Sequence, residues 1–492
     1  MGSATPGNAH LLSQVRWTRR RLLAGTTLGL GALTVSAFVS ACAPGGGSPT
    51  AAATTSTSSA AQPTAAPTAA AAASAATPTT GPAATAAPQQ QSANLQWSTW
   101  NTGGLLTMDK DFITLFEKAN PSVKVQVINA PSDYSAKLLS QAASGSLSDV
   151  IHIAADYYPA LVNAKVLLDV TSYFSDAKFD YSQYVPFGDI FRPGGKILGG
   201  LEDYSKVYPL FYNADMFTQA SLSTPYDLWQ KGEWTWDGFL QTAKKLTTSN
   251  VWGAYAYNSW ETGWSPWIYA DGATDWIVPN ASFSAQVKLD SPNVQKATQF
   301  QVDLIYKDQV SAKPGQIATV GGADPFTAGK VAMMTNGNWV LADYPNLIGS
   351  RFKWGIAPVP TPTGKDNLTM FNPGAHGMVT AHTKFPQQAF ALSQFFLTSS
   401  VQDSLAKIHT LLPVLASSYK SADFTASPAE HIDVVETLAS KSQTIPTFLS
   451  LDEVTNRLQS DLDNAFLNKV SVDQALKTAQ TDAEGIIAKQ GQ

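Results

Sequence analysis

Five tryptophans, Trp252, Trp260, Trp264, Trp267 and Trp276, crowd one stretch of the chain together with Tyr255, Tyr257 and Tyr269. Asn258, Ser259, Glu261 and Thr262 are threaded between them. A packed core needs aromatic bulk, but not interleaved carboxylates and amides. Flat ring faces beside multidentate hydrogen-bonding groups suit a ligand with an apolar C–H face and many hydroxyls. Trp260 and Trp264 are the stacking candidates here, Glu261 is a weaker polar one, and Trp252 and Trp276 read as structural. Other candidates follow predicted strands, because the C-terminal ends of parallel strands build clefts. They are Trp100 and Asn101 after the first strand and Asp156 after a later one. Tyr157, Glu202 and Asn372, from loops at the edge of the same cleft, are weaker choices.

The chain has no Gly-x-x-x-x-Gly-Lys-Ser/Thr, no His-Glu-x-x-His, no Cys-x-x-Cys and no Gly-x-Ser-x-Gly. No catalytic residue, cofactor or metal ligand is therefore assigned, although spacing alone leaves open the two facing carboxylates of a glycosidase. The six histidines are scattered, and His376 and His382 read as structural. A net charge of -5 argues against a nucleic-acid partner. Cys42 is the one cysteine, so no intrachain disulfide forms. At 492 residues, two lobes are the default, since single cores stop growing below that size.

The elements that must position these residues alternate. A strand spans 95–100, a helix 108–120 closes at Pro121, and a second strand spans 123–128. A helix carrying Leu138, Leu139 and Ala142 ends at Gly145, and Asp149 to Ile153 form a buried strand. This order implies a parallel-rich sheet with helices on both faces. Near the other end, Ser471-Val472-Asp473-Gln474 reads as a helix-starting capping box.

Arg16, Arg19, Arg20 and Arg21 precede an apolar run from Leu22 to Val39, the layout of an export signal. Thr18 to Leu23 resembles the twin-arginine signal, though general secretory signals also contain paired arginines. Val39-Ser40-Ala41-Cys42 resembles the bacterial lipobox, in which the cysteine carries diacylglycerol. Residues 1–41 are thus expected to be the signal. Residues 42–93, almost wholly Ala, Thr, Ser, Pro, Gly and Gln, are expected to be a disordered tether. The expected location is the bacterial surface or periplasmic face, held to the membrane by lipid.

Several stretches, in order, resemble the family 1 extracellular solute-binding proteins, the family of maltose-binding protein. They are Asn120-Pro121-Ser122-Val123, Ser144-Gly145 before Asp149-Val150, and Leu167-Leu168-Asp169-Val170. Further on come Leu210 to Phe217, Glu233 to Phe239, Phe326 to Met334 with Asn336-Gly337-Asn338-Trp339, and Trp354 to Pro360. The helix 388–398 continues the series.

The resemblance implies an α/β, two-lobed periplasmic-binding-protein type II fold with hinge crossings and an interlobe ligand cleft. It places the N-lobe at 94–204 with a return at 359–377, and the C-lobe at 205–358 and 378–492, crossing near Asp203–Val207, Ala357–Pro360 and His376–His382. It also implies capture of a sugar or oligosaccharide for ABC permease subunits that work with a separate ATPase. Trp339 takes a sugar-stacking position and Asp156 an acidic sugar-binding one. Two family tryptophans are missing: Ile153 stands at the N-lobe position, and Asp452 or a near neighbour at the C-lobe one. A peptide, polyamine or chelate ligand, a sensing role, and a surface hydrolase remain as alternatives.

Overall fold

The computed structural model describes residues 92–490, apart from 186–188, 281, 319–322 and 365–368. The expected signal at 1–41, Cys42 and the tether up to residue 91 lie outside the described residues.

Strands β1 (Ala93–Thr99) and β2 (Val123–Asn129) run parallel, with β3 (Val150–Ala154) on the other side of β1. Every residue of β3 is buried, as in a strand covered on both faces. Helix α1 (Gly103–Ala119) buries Met108, Phe112 and Phe116 along one stripe. It starts earlier than the periodicity indicates, and the Gly103-Gly104 pair forms its first turn. Helix α2 (Tyr134–Ser144) ends at Gly145, which adopts a left-handed conformation open to glycine at little cost.

The chain then supplies β4 (Tyr204–Lys206), β5 (Leu210–Asn213), helix α3 (Trp236–Leu246), a π-turn at Trp260–Trp264, and helix α4 (Ser265–Ala270). Helix α5 (Pro292–Tyr306), β6 (Met333–Thr335), β7 (Trp354–Ala357) and β8 (Met370–Val379) follow. Helices α6 (Pro386–Phe395) and α7 (Ser399–Ile408), then β9 (Leu412–Pro413) and β10 (Gln443–Thr444), lead to the long C-terminal pair α8 (Leu451–Phe466) and α9 (Val472–Lys489). The Ser471 hydroxyl caps α9 by accepting from the Gln474 amide.

Two sheets result. The first runs β9-β4-β8-β3-β1-β2, with β10 paired to β8. The second is β6-β5-β7 and fully antiparallel. The chain passes from the first to the second between β4 and β5, and returns between β7 and β8. The second passage is clamped from α3's side, where the Trp234 and Trp236 indoles donate to the carbonyls of Pro358 and Pro360, both at 2.9 Å.

The sequence reading puts the third crossing near His376–His382 and all of 378–492 in the C-lobe. The structure moves that crossing beyond β9. Helix α6 buries Ala389 and Leu392, and Phe396 just after it, in the core formed by Trp97 and Phe112 under the first sheet. The chain leaves only after β9 has paired with β4. Val434, Val435 and Leu438 then join the core around Phe211 and Trp354.

Candidate ligand cleft

Lys206 and Asn372 face each other across the antiparallel pair β4–β8, at the strands that link the two sheets. Glu261, in the π-turn, lies at the centre of the polar cluster above them. Its Oε1 accepts from Tyr208 Oη at 2.6 Å and from Asn372 Nδ2 at 3.1 Å, and Lys206 Nζ stands 3.8 Å away. The π-turn that presents Glu261 requires Gly263, because a Cβ there would lie 2.3 Å from the Tyr257 carbonyl oxygen. Such turns interrupt helices chiefly where function asks for an unusual side-chain direction.

Trp339 borders this cluster. The Lys206 ammonium lies 5.3 Å from the centre of its ring, and Tyr208 packs edge-on at 5.7 Å. The ring is only half-buried, so part of it remains open. Trp260 is also half-buried and adjoins Glu261, its backbone N–H directed at Gln459 of α8.

The first sheet contributes the opposite wall. Asp156 and Tyr157 lie in the 3-10 turn directly after β3. Trp100 follows β1 and stacks on His152 at 3.9 Å, with Tyr157 edge-on to it at 5.8 Å. Asp156 Oδ1 is buried and accepts no hydrogen bond. Burial, then repulsion from Asp452 and Glu261, pushes the Asp156 carboxyl up to about 8 despite the attraction of Lys206. The same interactions place Asp156, Asp452, Lys206 and Glu261 within one electrostatic neighbourhood. Burial and the Glu261 charge hold the Tyr208 hydroxyl well above its usual value, so it stays a donor.

Trp100, Asp156, Tyr157, Glu261, Asn372, Trp260 and Trp339 thus gather around the crossing strands. Three expected residues do not. Trp264 is fully buried, its indole N–H donated to Thr298 Oγ1 at 2.9 Å and its ring edge-on to Trp276 at 5.2 Å. With both its donor and its faces used inside the core, it offers nothing to a ligand. Asn101 turns inward and donates to Asp109 Oδ2 at 2.9 Å, while its own carbonyl accepts from Asn129. Glu202 is 2% exposed and acts electrostatically on buried Tyr158.

Lys206, Tyr208 and Asp452 belong to the cluster but are absent from the sequence-derived candidates. A usable signal existed for Lys206 and Tyr208, polar groups inside or beside a crossing segment otherwise rich in apolar residues. Among the described residues, no three His, Cys, Asp or Glu side chains converge closely enough to hold a metal ion. No helix among them is long and apolar enough to cross a membrane.

Two sheets joined by crossing strands, with polar and aromatic groups from both converging at the joint, define a two-lobed α/β solute-binding fold. The family described as bacterial extracellular solute-binding protein matches residues 111–431, and this chain belongs to it. YcjN of Escherichia coli (strain K12), which bears the name of an ABC transporter periplasmic-binding protein, is 22% identical over 337 residues. That match covers 66% of this chain and 73% of YcjN.

Solved structures share the fold. The ABC substrate-binding protein Lmo0181 of Listeria monocytogenes, in complex with cycloalternan, superposes with a TM-score of 0.70 at 21% identity, covering 81% of this chain and 100% of its own. Maltose-bound MalE3 of T. maritima gives 0.67 at 18% identity, covering 80% and 100%. The GacH receptor of Streptomyces glaucescens, solved unliganded and with acarbose, gives 0.67 at 19% identity, covering 81% and 99%.

Proposed function

We propose that this protein is the ligand-capturing subunit of an ABC importer and that its ligand is a sugar or oligosaccharide gripped between the two lobes. One observation carries this reading. Partly open aromatic faces (Trp100, Tyr157, Trp260, Trp339) surround polar groups contributed by both lobes (Asp156, Glu261, Asn372). Saccharides need that combination, with rings for the C–H face and carboxylates or amides for the hydroxyls. The relatives solved with cycloalternan, maltose and acarbose support it.

A ligand that touches both lobes binds the closed form more strongly than the open one and so shifts the population toward closure. Permease subunits then receive the closed protein. The lipobox-like run ending at Cys42 supports a lipid anchor on the outer face of the membrane, and Cys42→Ser should release the protein into the soluble fraction.

Isothermal titration of the purified protein against maltodextrins, mannooligosaccharides and cyclic glucans tests the ligand class. One of them should bind with a Kd of about 1 μM or tighter. Heat from a peptide or polyamine set, with none from any saccharide, would overturn the carbohydrate assignment and leave the solute-binding role standing.

A further inference from the structure

Gly337, Asn338 and Trp339 carry the chain from the second sheet to the cleft. The β5–β6 ladder ends in the pair Leu210–Thr335. Both chains stay bonded beyond it. Asn336 donates its backbone N–H to the Pro209 carbonyl at 3.2 Å, and Asn338 donates its own to the Val207 carbonyl at 3.0 Å. A regular antiparallel pair would return a backbone carbonyl to the Val207 N–H. Here the chain has already turned into the 3-10 segment Asn338–Ala342, and Asn338 Oδ1 accepts from Val207 N at 3.0 Å instead. The Asn338 amide nitrogen donates onward to the carbonyls of Thr410 and His409, at 3.2 and 3.4 Å, just before β9. Fully buried and bonded through both side-chain polar atoms, Asn338 ties the β4–β5 passage to the approach to β9.

Val207 lies between Lys206 and Tyr208, the residues that meet the Trp339 ring, with the ammonium at 5.3 Å and the phenol edge-on at 5.7 Å. The side chain that pins Val207 therefore also sets where the neighbouring indole stands. Gly337 completes the arrangement. A Cβ on it would overlap the six-membered ring of Trp339, a rigid group that can only move away as a whole. The Gly337 backbone, at φ −79° and ψ 152°, is one that any residue adopts. Glycine is needed here for space, not for conformation.

We propose that Gly337 and Asn338 are positioning residues of the cleft. Gly337 is the slot in which the Trp339 indole folds back over its own backbone, and Asn338 holds that indole against Lys206 and Tyr208. The open part of the ring is then fixed in direction before a ligand arrives, and affinity depends on two buried residues next to it. That Trp339 meets the ligand rests on the proposed function; the seating of its ring does not.

Fluorotryptophan incorporated throughout the chain gives each indole a fluorine resonance, and Trp339→Phe identifies that of Trp339. Gly337→Ala should shift this resonance while leaving those of buried Trp97, Trp234 and Trp264 in place. Asn338→Ala deprives the Val207 N–H of its acceptor and should shift it too. Where Asn338→Ala fails to fold, Gly337→Ala decides alone, because its backbone suits alanine. The variants are then titrated calorimetrically with maltodextrins, mannooligosaccharides and cyclic glucans. Gly337→Ala should weaken the best of these by about tenfold or more, as loss of one aromatic contact does. In a Trp339→Ala background it should cause no further loss, because the ring through which it acts is gone. A glycine with a purely structural role would lower affinity by the same factor in both backgrounds. An unmoved Trp339 resonance in Gly337→Ala, an unchanged affinity, or an equal loss in both backgrounds would overturn the proposal. If no saccharide binds the parent protein, the carbohydrate reading falls, and the fluorine resonance still decides how the ring is seated.

Discussion

The imidazoles of His152 and His376 stack face to face, 4.3 Å apart, beneath the cleft residue Trp100. They come from neighbouring strands, β3 and β8, and a register shift between Ala375 and Met378 accommodates His376. His376 donates its backbone N–H to Asp203 Oδ2 at 2.8 Å, and its Nδ1 lies 2.6 Å from Asp203 Oδ1. Burial opposes charge on this ring, but Asp203 and Asp109 together hold it above its ordinary value. His152 bonds to Thr99 and Tyr204 through its two ring nitrogens. Burial, then the neighbouring charges of His376 and Lys206, keep it well below its usual value and neutral. Two imidazoles pushed in opposite directions, His376 up and His152 down, thus share a stack that ties the crossing strand β4 to β8.

The depressed value of His152 sets a sign for acid stability. Below about 6.5 the unfolded ring takes up a proton that the folded ring refuses, so folding weakens as pH falls. The slope contributed is about 1.4 kcal/mol per pH unit until the folded ring also titrates. His152→Gln keeps a polar group opposite Thr99 and Tyr204 but removes this proton. Urea unfolding from neutral to acid pH should therefore show a shallower acid loss in the variant than in the parent. Equal slopes would mean that His152 is charged in the folded protein.

Trp264 and Trp339 should separate packing from binding. Trp264→Ala opens a large cavity beside Trp276 and strands Thr298, a loss of about 3–5 kcal/mol for a buried indole. Its effect should appear in thermal unfolding. Trp339→Ala removes a half-buried ring, and it should lower the melting temperature little while weakening saccharide binding by about tenfold or more, the scale of one aromatic contact. Comparable losses of affinity from both would contradict the placement of Trp264 in the core.

These two tryptophans also mark where sequence reasoning stops. The order of strands and helices was readable because each apolar stripe, such as Met108, Phe112 and Phe116, repeats with its element's period. The turn after β3 was readable too, and it does carry Asp156. Whether an indole faces a cleft or a core depends on which group accepts its N–H. For Trp264 that group is Thr298, 34 positions later on another helix. Lys206, Tyr208 and Asp452 escaped for the same reason, since their partners are brought together only by the crossing of the two sheets. The course of 378–414 is not legible locally, because the apolar face of α6 carries no mark of which sheet it covers. The pairing of β9 with β4 decides the matter, and it leaves no local trace.

Gly374 lies opposite Tyr204 where β4 and β8 pair. A Cβ at this position would stand 2.2 Å from the tyrosine ring and hydroxyl, which is itself bonded to His152. Gly374→Ala should therefore push the ring off its partner and destabilise the first lobe by about 1–3 kcal/mol, the usual cost of overpacking. Denaturant unfolding checks it. Pairing the change with Tyr204→Phe, which drops the hydroxyl bond, should cost less than the two single changes added together.

The contact between Glu261 and Tyr208 should couple energetically. Glu261 accepts from Tyr208 and Asn372, and it is the nearest anion to Lys206. Hydrogen bonds to a charged group contribute about 1.5–3 kcal/mol when largely buried, and a partner left alone keeps its desolvation cost. Glu261→Gln retains one acceptor oxygen, so it should disturb stability less than Glu261→Ala while still removing the counter-charge of Lys206. Tyr208→Phe deletes the donor. A double-mutant cycle on unfolding free energy should show the Glu261→Ala and Tyr208→Phe losses falling short of additivity by about 1 kcal/mol or more. Repeated on binding free energy with the best saccharide, the cycle should keep that sign, because ligand hydroxyls then compete for the same oxygen. Strict additivity in both would mean that the carboxylate and the phenol act independently and that another group orients Glu261 toward the cleft.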